Sequence, residues 1–187
     1  MMLITISGLP GSGKTTVARL LSQRLGIPHV YAGDLYRRAA VERGVSLEQF
    51  NELSEKDHSI DRALDMKMAE FARQGDVVLE GRLAGFTAVH QGVEALKVWL
   101  TASDEVRARR VAQREGKDWQ TVLQLNRSRH SSDARRYREI YGFDLDDTSI
   151  YDVVLHSDDR GPEALAEDIL ARATARFARS GKRATSS

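Results

Sequence analysis

The octapeptide Gly8-Leu9-Pro10-Gly11-Ser12-Gly13-Lys14-Thr15 leaves this chain few choices of fold. It follows the apolar run Leu3-Ile4-Thr5-Ile6 and leads straight into Thr16-Val17-Ala18-Arg19-Leu20-Leu21, so it reads as strand, glycine-rich loop and helix. Its spacing fits G-x-x-x-x-G-K-[ST], in which small residues let successive backbone N–H groups turn inward around a phosphate chain. Lys14 adds a mobile positive charge and Thr15 a hydroxyl suited to Mg²⁺. The bland alternative is a glycine-rich turn that binds nothing. Agreement between the motif and its strand-to-helix setting favours phosphate binding.

Downstream, Val17, Leu20, Leu21 and Leu25 share one helical face, and Gly26 with Pro28 supplies the stop. His29-Val30-Tyr31-Ala32 reads as a brief buried strand, and Gly33-Asp34 opens a helix bearing Leu35, Tyr36 and Arg37. Two readings of that opening stand side by side: Asp34 as a helix cap, or a basic side chain holding a second phosphate beside the loop. From Ser46 to Gln74 strand signals are absent, and two helices divide near Asp57-His58-Ser59. Ser46 and Gln49 fit a capping box, while Ile60, Leu64, Met68 and Phe71 form a stripe suited to core packing. Such a helical insertion is either a flap over an acceptor or plain solvated surface.

Asp76 to Arg82 reads as a third strand whose unbroken apolar run indicates burial on both faces. Glu80, Gly81 and Arg82 fall at its C-terminal end, the edge where open parallel sheets bind ligands. Arg82 there suits a phosphate. Glu80 suits a Mg²⁺-bound water, the Arg82 guanidinium or an ordinary ion pair. Ala95 to Leu100 gives a fourth strand, and Thr101-Ala102-Ser103-Asp104 a turn and cap. Arginines then crowd the chain: Arg107, Arg109, Arg110 and Arg114 before Gly116, and Arg127, Arg129, Arg135, Arg136 and Arg138 after it. Between positions 107 and 138 only Glu115, Asp118 and Asp133 offset them. Arg110 and Arg114 share a helix face. The pattern suits a lid whose two helices converge their arginines on transferring phosphates. A solvated or RNA-binding face ranks lower, because only Trp119 and Tyr137 supply aromatic interleaving. Ile150 to Leu155 is a fifth strand, Pro162 to Phe177 a closing amphipathic helix, and Ala178 to Ser187 is expected to fray.

Alternation of strands and helices behind the loop implies an α/β fold, a parallel sheet covered on both faces by right-handed crossovers. At 187 residues the chain suits one domain over 1–180, with a helical insertion at 34–74, a lid region at 104–140 and a tail at 181–187. Its 28 Lys and Arg nearly balance 27 Asp and Glu, so any basic site is local. With no cysteine, disulfide frameworks and thiolate chemistry are excluded. His29, His58, His90, His130 and His156 show no metal-ligand spacing. The opening apolar run is too short for a signal peptide or a membrane span. A cytoplasmic monomer without membrane or nucleic-acid partners is expected. No Asn-Lys-x-Asp guanine-reading signature occurs. A phosphate loop, an arginine-rich lid and separate candidate phosphate ligands at Arg37 and Arg82 together suit a small-molecule kinase, which must bring two phosphates together.

The residues also carry a family resemblance. Gly8 to Thr16, Gly33-Asp34-Leu35-Tyr36-Arg37, Leu79-Glu80-Gly81-Arg82-Leu83-Ala84-Gly85, Val106-Arg107-Ala108-Arg109-Arg110 and Arg136-Tyr137-Arg138-Glu139-Ile140-Tyr141-Gly142 together resemble the cytidylate kinases, in the compact type best known from archaea. The resemblance implies a P-loop NTPase fold with strand order 2-3-1-4-5, and transfer of the ATP γ-phosphoryl group to CMP and dCMP with Mg²⁺. By matching position, Gly8, Leu9, Pro10, Gly11, Ser12, Gly13, Lys14, Thr15 and Thr16 would hold the donor phosphates, with Thr15 on the metal and Glu80 reaching it through water. Arg37 and Arg82 would clamp the acceptor phosphate, with Asp34 and Gly81 beside them. Arg110 and Arg114 resemble lid arginines that contact ATP. Arg129, Asp133 and Arg136 match an Arg-x-x-x-Asp-x-x-Arg element serving the acceptor nucleotide and the transferred group. The expected catalytic set is Lys14, Arg82, Arg110, Arg129 and Arg136. One departure stands out: where common bacterial enzymes carry Gly-Arg-Asp, this chain has Gly81-Arg82-Leu83, so a base-reading carboxylate is missing there. Asp133, Asp61 or backbone carbonyls of the insertion are the candidate replacements. An adenylate or uridylate kinase, a kinase of a non-nucleotide acceptor such as shikimate, and an RNA-binding ATPase are the alternatives.

Overall fold

The apolar runs pair side by side into one parallel sheet. The computed structural model describes residues 1–184. Its strands are β1 (Leu3–Ser7), β2 (His29–Tyr31), β3 (Val77–Glu80), β4 (Leu96–Thr101) and β5 (Val153–His156), in the order β2-β3-β1-β4-β5 expected of it. Every pairing is parallel, and the register sets Ile6 beside Glu80 and Ser7 beside Trp99. The loops after β1, β3 and β4 therefore emerge at one edge of the sheet. That edge holds the crevice where the strand order reverses, the ligand-binding position of open α/β sheets.

The helices are α1 (Lys14–Leu25), α2 (Ala32–Glu42), α3 (Leu47–Lys56), α4 (Ser59–Gln74), α5 (Ala84–His90), α6 (Asp104–Glu115), α7 (Trp119–Tyr141) and α8 (Pro162–Ala184). On one sheet face Val17 and Leu21 of α1 and Leu165 and Ile169 of α8 pack on Ile4, Ile6, Val98 and Leu100. On the other, Met68 and Ala72 of α4 and Ala84 and Ala88 of α5 pack on Leu3, Val77 and Leu79. Burial from both sides explains why every residue of β1 and β3 is buried, Thr5, Ser7 and Glu80 included. Helices α2 to α4 enclose a small core of their own. In it, fully buried Phe50 meets Ala40 and Ile60 and lies edge-on to Tyr36 at 4.7 Å between centroids. The capping box at Ser46 and Gln49 is formed. Ala108, Val111 and Ala112 of α6 join Val122 of α7 in a further cluster.

Several elements depart from the sequence reading. β2 is half-buried throughout, because it is an edge strand covered less completely than β1 or β3. Tyr31 caps α2, so Asp34 is not the cap; it lies in the first turn, where its carboxylate pairs with Arg37 at 2.5 Å. Helix α5 was not expected, its small residues showing little periodicity. Its Gly85 N–H donates to Ser7 Oγ at 3.0 Å, and a Cβ at Gly85 would overlap the Tyr151 ring. β5 starts at Val153, because Tyr151 turns into the core against Trp99, 5.1 Å between centroids. Helix α8 continues past Phe177 to Ala184, through the start of the expected tail; positions 185–187 lie outside the described residues.

Removal of the Phe50 ring should leave a cavity between α2, α3 and α4. Phe50→Ala is expected to lower unfolding free energy by about 3–4 kcal/mol, read as a reduced denaturant midpoint.

Candidate active site

The loop between β1 and α1 is shaped by its neighbours as much as by its glycines. Gly8 has φ +144° and Gly11 φ +82°; a Cβ at Gly8 would overlap the Leu100 carbonyl, and one at Gly11 the Arg107 backbone. Each carbonyl from Leu9 to Gly13 has a donor. Leu9 O accepts from Lys14 Nζ at 2.8 Å, Pro10 O from Arg107 Nη1 at 3.3 Å, and Gly11 O from Arg110 Nη1 at 3.4 Å. Ser12 O accepts from Ser157 Oγ at 2.9 Å, and Gly13 O from Val17 N–H at 3.2 Å. Ser12 N–H closes the turn onto Leu9 O at 3.3 Å. No side chain caps α1, so its first-turn N–H groups and the positive end of its dipole remain for an anion. Desolvation lowers the Lys14 ammonium to about 7; the charges of Arg82, Arg107 and Arg129 add to this and Glu80 opposes it. An arriving anion would reverse that balance.

A cavity of about 600 Å³ runs from this loop to the α2–α4 insertion. At its floor, fully buried Glu80 accepts from Thr15 Oγ1 at 2.7 Å and meets His29 Nε2 at 2.9 Å. Among the readings open for Glu80, orientation of Arg82 is not the one adopted: Arg82 pairs instead with Asp133. Asp133 Oδ1 also accepts from Arg136 Nη2 at 3.0 Å, and Arg136 Nε lies 2.9 Å from Asp61 Oδ2. Arg129 Nε sits 4.0 Å from Asp133. A chain of alternating charges, Arg82–Asp133–Arg136–Asp61, thus ties the end of β3 to α7 and α4.

Other expected residues divide by position. Pro10, Gly11, Gly13, Lys14, Thr15 and Thr16 line the cavity on the loop side, whereas Gly8, Leu9 and Ser12 lie behind it. Gly81 and Arg37 line it opposite; Arg37 stacks over Tyr31, 5.1 Å from the ring centroid, and Asp34 stays outside the wall. Arg110 lines it while held by Ser157 Oγ at 2.8 Å and Ser157 O at 2.7 Å; exposed Arg114 reaches it beside Glu115. The arginines of α6 and α7 do not all converge there. Arg107 is buried against Ala102 O, Pro10 O and Asp104, Arg109 stacks on Trp119, and Arg127 and Arg138 pair with Asp104 and Asp144. Arg135 is exposed on the outer face. Helical periodicity explains the division: α7 presents Arg129, Asp133 and Arg136 on one side and its other arginines to solvent.

The sequence reading missed His29, Tyr36, Asn51, Asp65 and Ser157 as parts of the site or its support. Only Asp65 left a trace, at four residues from Asp61 on α4. It is half-buried and accepts from the Tyr141 hydroxyl. Burial pushes its carboxyl up to about 6, with Asp61 adding and Tyr141 and Arg136 opposing.

Against known proteins, residues 3–159 match the cytidylate kinase-like family. The cytidylate kinase of Methanopyrus kandleri is 47% identical over 161 residues, covering 82% of this chain and 83% of that protein. That of Methanocaldococcus jannaschii is 43% identical over 155 residues, covering 82% and 87%. Among solved structures, shikimate kinase from Bacteroides thetaiotaomicron superposes with a TM-score of 0.60 at 18% identity, covering 94% of this chain and 98% of that one. At that identity the likeness concerns the fold alone, which is that of P-loop kinases.

The Asp65 environment generates a stability prediction. A carboxyl raised from 3.8 to about 6 holds its proton more tightly folded than unfolded, so wild-type stability falls as pH rises through that window and levels off above it. Asp65→Asn is expected to be more stable than wild type by roughly 2 kcal/mol at pH 7.5, with the gain gone near pH 3.5, measured by denaturant melts.

Proposed function

The chain belongs to the cytidylate kinase-like family, and from that premise we propose that it transfers the γ-phosphoryl group of ATP to the 5′-phosphate of CMP and dCMP, acting as a nucleoside monophosphate kinase. One observation carries the reading: a single cavity joins the amide cradle of the loop to a second cationic centre at Arg82 and Arg136. The cradle suits a donor triphosphate and the second centre an acceptor phosphate. In this reading α2–α4, which take in the insertion expected at 34–74, cover the acceptor, and α6–α7, which take in the lid region expected at 104–140, flank the donor.

An acceptor phosphate is already a nucleophile at neutral pH, so the protein supplies position and charge and no covalent intermediate. A phosphate entering near Arg82 takes over the place of Asp133 on that guanidinium. Lys14 leaves the Leu9 carbonyl for the donor's β- and γ-phosphates. Arg110 and Arg114 lie on the donor side, while Arg129 and Arg136 stabilise charge on the group in flight as its bond to ADP breaks and its bond to the acceptor oxygen forms. Thr15 and Glu80 present hard oxygen donors 2.7 Å apart, which fit Mg²⁺. Among the described residues no cluster of three or more His, Asp or Glu could hold a metal by itself, so nucleotide phosphates and water would complete its coordination. When bound, Mg²⁺ neutralises part of the phosphate charge. No helix among the described residues is long and apolar enough to cross a membrane. We place the enzyme in the cytoplasm, with its nucleotides, as a monomer that needs no nucleic acid.

The deciding experiment is an acceptor panel of CMP, dCMP, UMP, AMP, GMP and shikimate with ATP and Mg²⁺, read as ADP formation. CMP and dCMP should give the highest kcat/KM. Preference for another acceptor, or ATP hydrolysis stimulated by RNA without any acceptor, would overturn the reading. Two substitutions separate the halves of the site. Lys14→Ala is expected to reduce kcat by at least about 100-fold, and Arg82→Ala to raise KM for CMP by more than about tenfold with little change in KM for ATP.

A further inference from the structure

Resting on the reading of CMP as acceptor, we propose that Asp65 accepts a hydrogen bond from the exocyclic amino group of cytosine and so sets the preference for cytosine over uracil. The residue after Arg82 does not compete for this role. Leu83 is 7% exposed and packs with Trp99 and Phe143 in the core, outside the cavity wall.

The carboxylates that line the cavity differ in one respect. Glu80 is held by Thr15 and His29, Glu115 by Arg114 and Lys117, Asp61 by Arg136, and Asp133 by Arg82 and Arg136. Asp65 has no cationic partner among the described residues. Its Oδ2 accepts from the neutral Tyr141 hydroxyl, and its Oδ1 has no hydrogen-bond partner among them. A half-buried carboxylate left in this way is costly, as the upward push on its pKa reflects. A ligand that brings an N–H donor relieves the cost.

Position supports the same assignment. Asp65 lies one turn of α4, about 5.4 Å, beyond Asp61, which anchors the phosphate-side Arg136. At that end Leu35, Leu64 and Met68 line the cavity with Tyr36, giving apolar walls for the faces of a flat base. Cytosine turns an N–H₂ donor toward the carboxylate. Uracil turns a carbonyl oxygen there, which the carboxylate repels, so the same group attracts one base and rejects the other. Tyr141 is then a positioning residue: by occupying Oδ2 it leaves Oδ1 for the base.

The test compares kcat/KM at pH 7.5 for CMP, UMP and the 2-pyrimidinone ribonucleoside 5′-monophosphate, which is CMP without its amino group. Ratios between acceptors within one enzyme are independent of the active fraction, so partial misfolding does not imitate the effect. For Asp65→Asn, the ratio of CMP to the amino-less analogue should fall by about tenfold or more, the ratio of CMP to UMP should fall likewise, and KM for ATP should hold. Tyr141→Phe should move both ratios the same way by a smaller factor, and serves as a second variant. If wild type uses CMP but Asp65→Asn keeps both ratios within about twofold, Asp65 is not the reader and the kinase reading stands. If wild type does not use CMP, both fall together.

Discussion

A phosphate loop binds anions only while its carbonyls point elsewhere, and in this protein that condition is met by side chains remote in sequence. Glycines permit the turn, but permission is not enforcement: a flexible loop could as easily offer an oxygen as an N–H. Arg107 and Arg110 from α6 and Ser157 after β5 take the carbonyls of Pro10, Gly11 and Ser12 in hydrogen bonds, which fixes the polarity of the loop. The sheet makes this possible, because β4 and β5 lie beside β1 and deliver those donors to the same edge. Two arginines that look like phosphate ligands in the sequence are thus first of all braces.

The second half of the cavity meets the opposite difficulty. Arg82 and Arg136 are desolvated cations that need an anion whether or not a ligand is bound. Asp133 and Asp61 supply one, so the protein's own carboxylates neutralise the pair and hold the arginines in place. In the proposed reading, binding of a phosphate is an exchange of anions on an existing cationic frame, which limits the reorganisation required. The same ion pairs join α4 to α7, so a change at Asp61 is felt by the helix that also carries Arg129.

How much of this is legible in the sequence follows from the range of each interaction. β1, the loop and α1 are contiguous, and their motif is spelled in consecutive residues; the buried strands announce themselves by unbroken apolar runs, and the sheet order follows from the family resemblance. Arg82, Arg129, Asp133 and Arg136 are legible as site candidates because charged residues at a strand end or at helical spacing are unusual enough to notice. What stays hidden depends on contacts across the fold. That Glu80 turns to Thr15 and His29 and not to Arg82, or that Arg107 is buried while Arg109 is exposed, is decided by packing that no local pattern encodes. Helix α5 escapes for a related reason: small residues leave almost no periodic signature, yet they let the helix lie close to the sheet. Asp65 resembles any surface acid of an amphipathic helix until Tyr141 and the cavity are placed beside it.

The bond from Ser157 to Ser12 spans 145 positions of the chain. During synthesis the loop motif leaves the ribosome well before the residue that completes its shape. A nascent chain that ends before β5 carries the whole phosphate-binding signature without the hydroxyl that holds the Ser12 carbonyl and anchors Arg110. Completion of the phosphate cradle is in this way coupled to completion of the sheet.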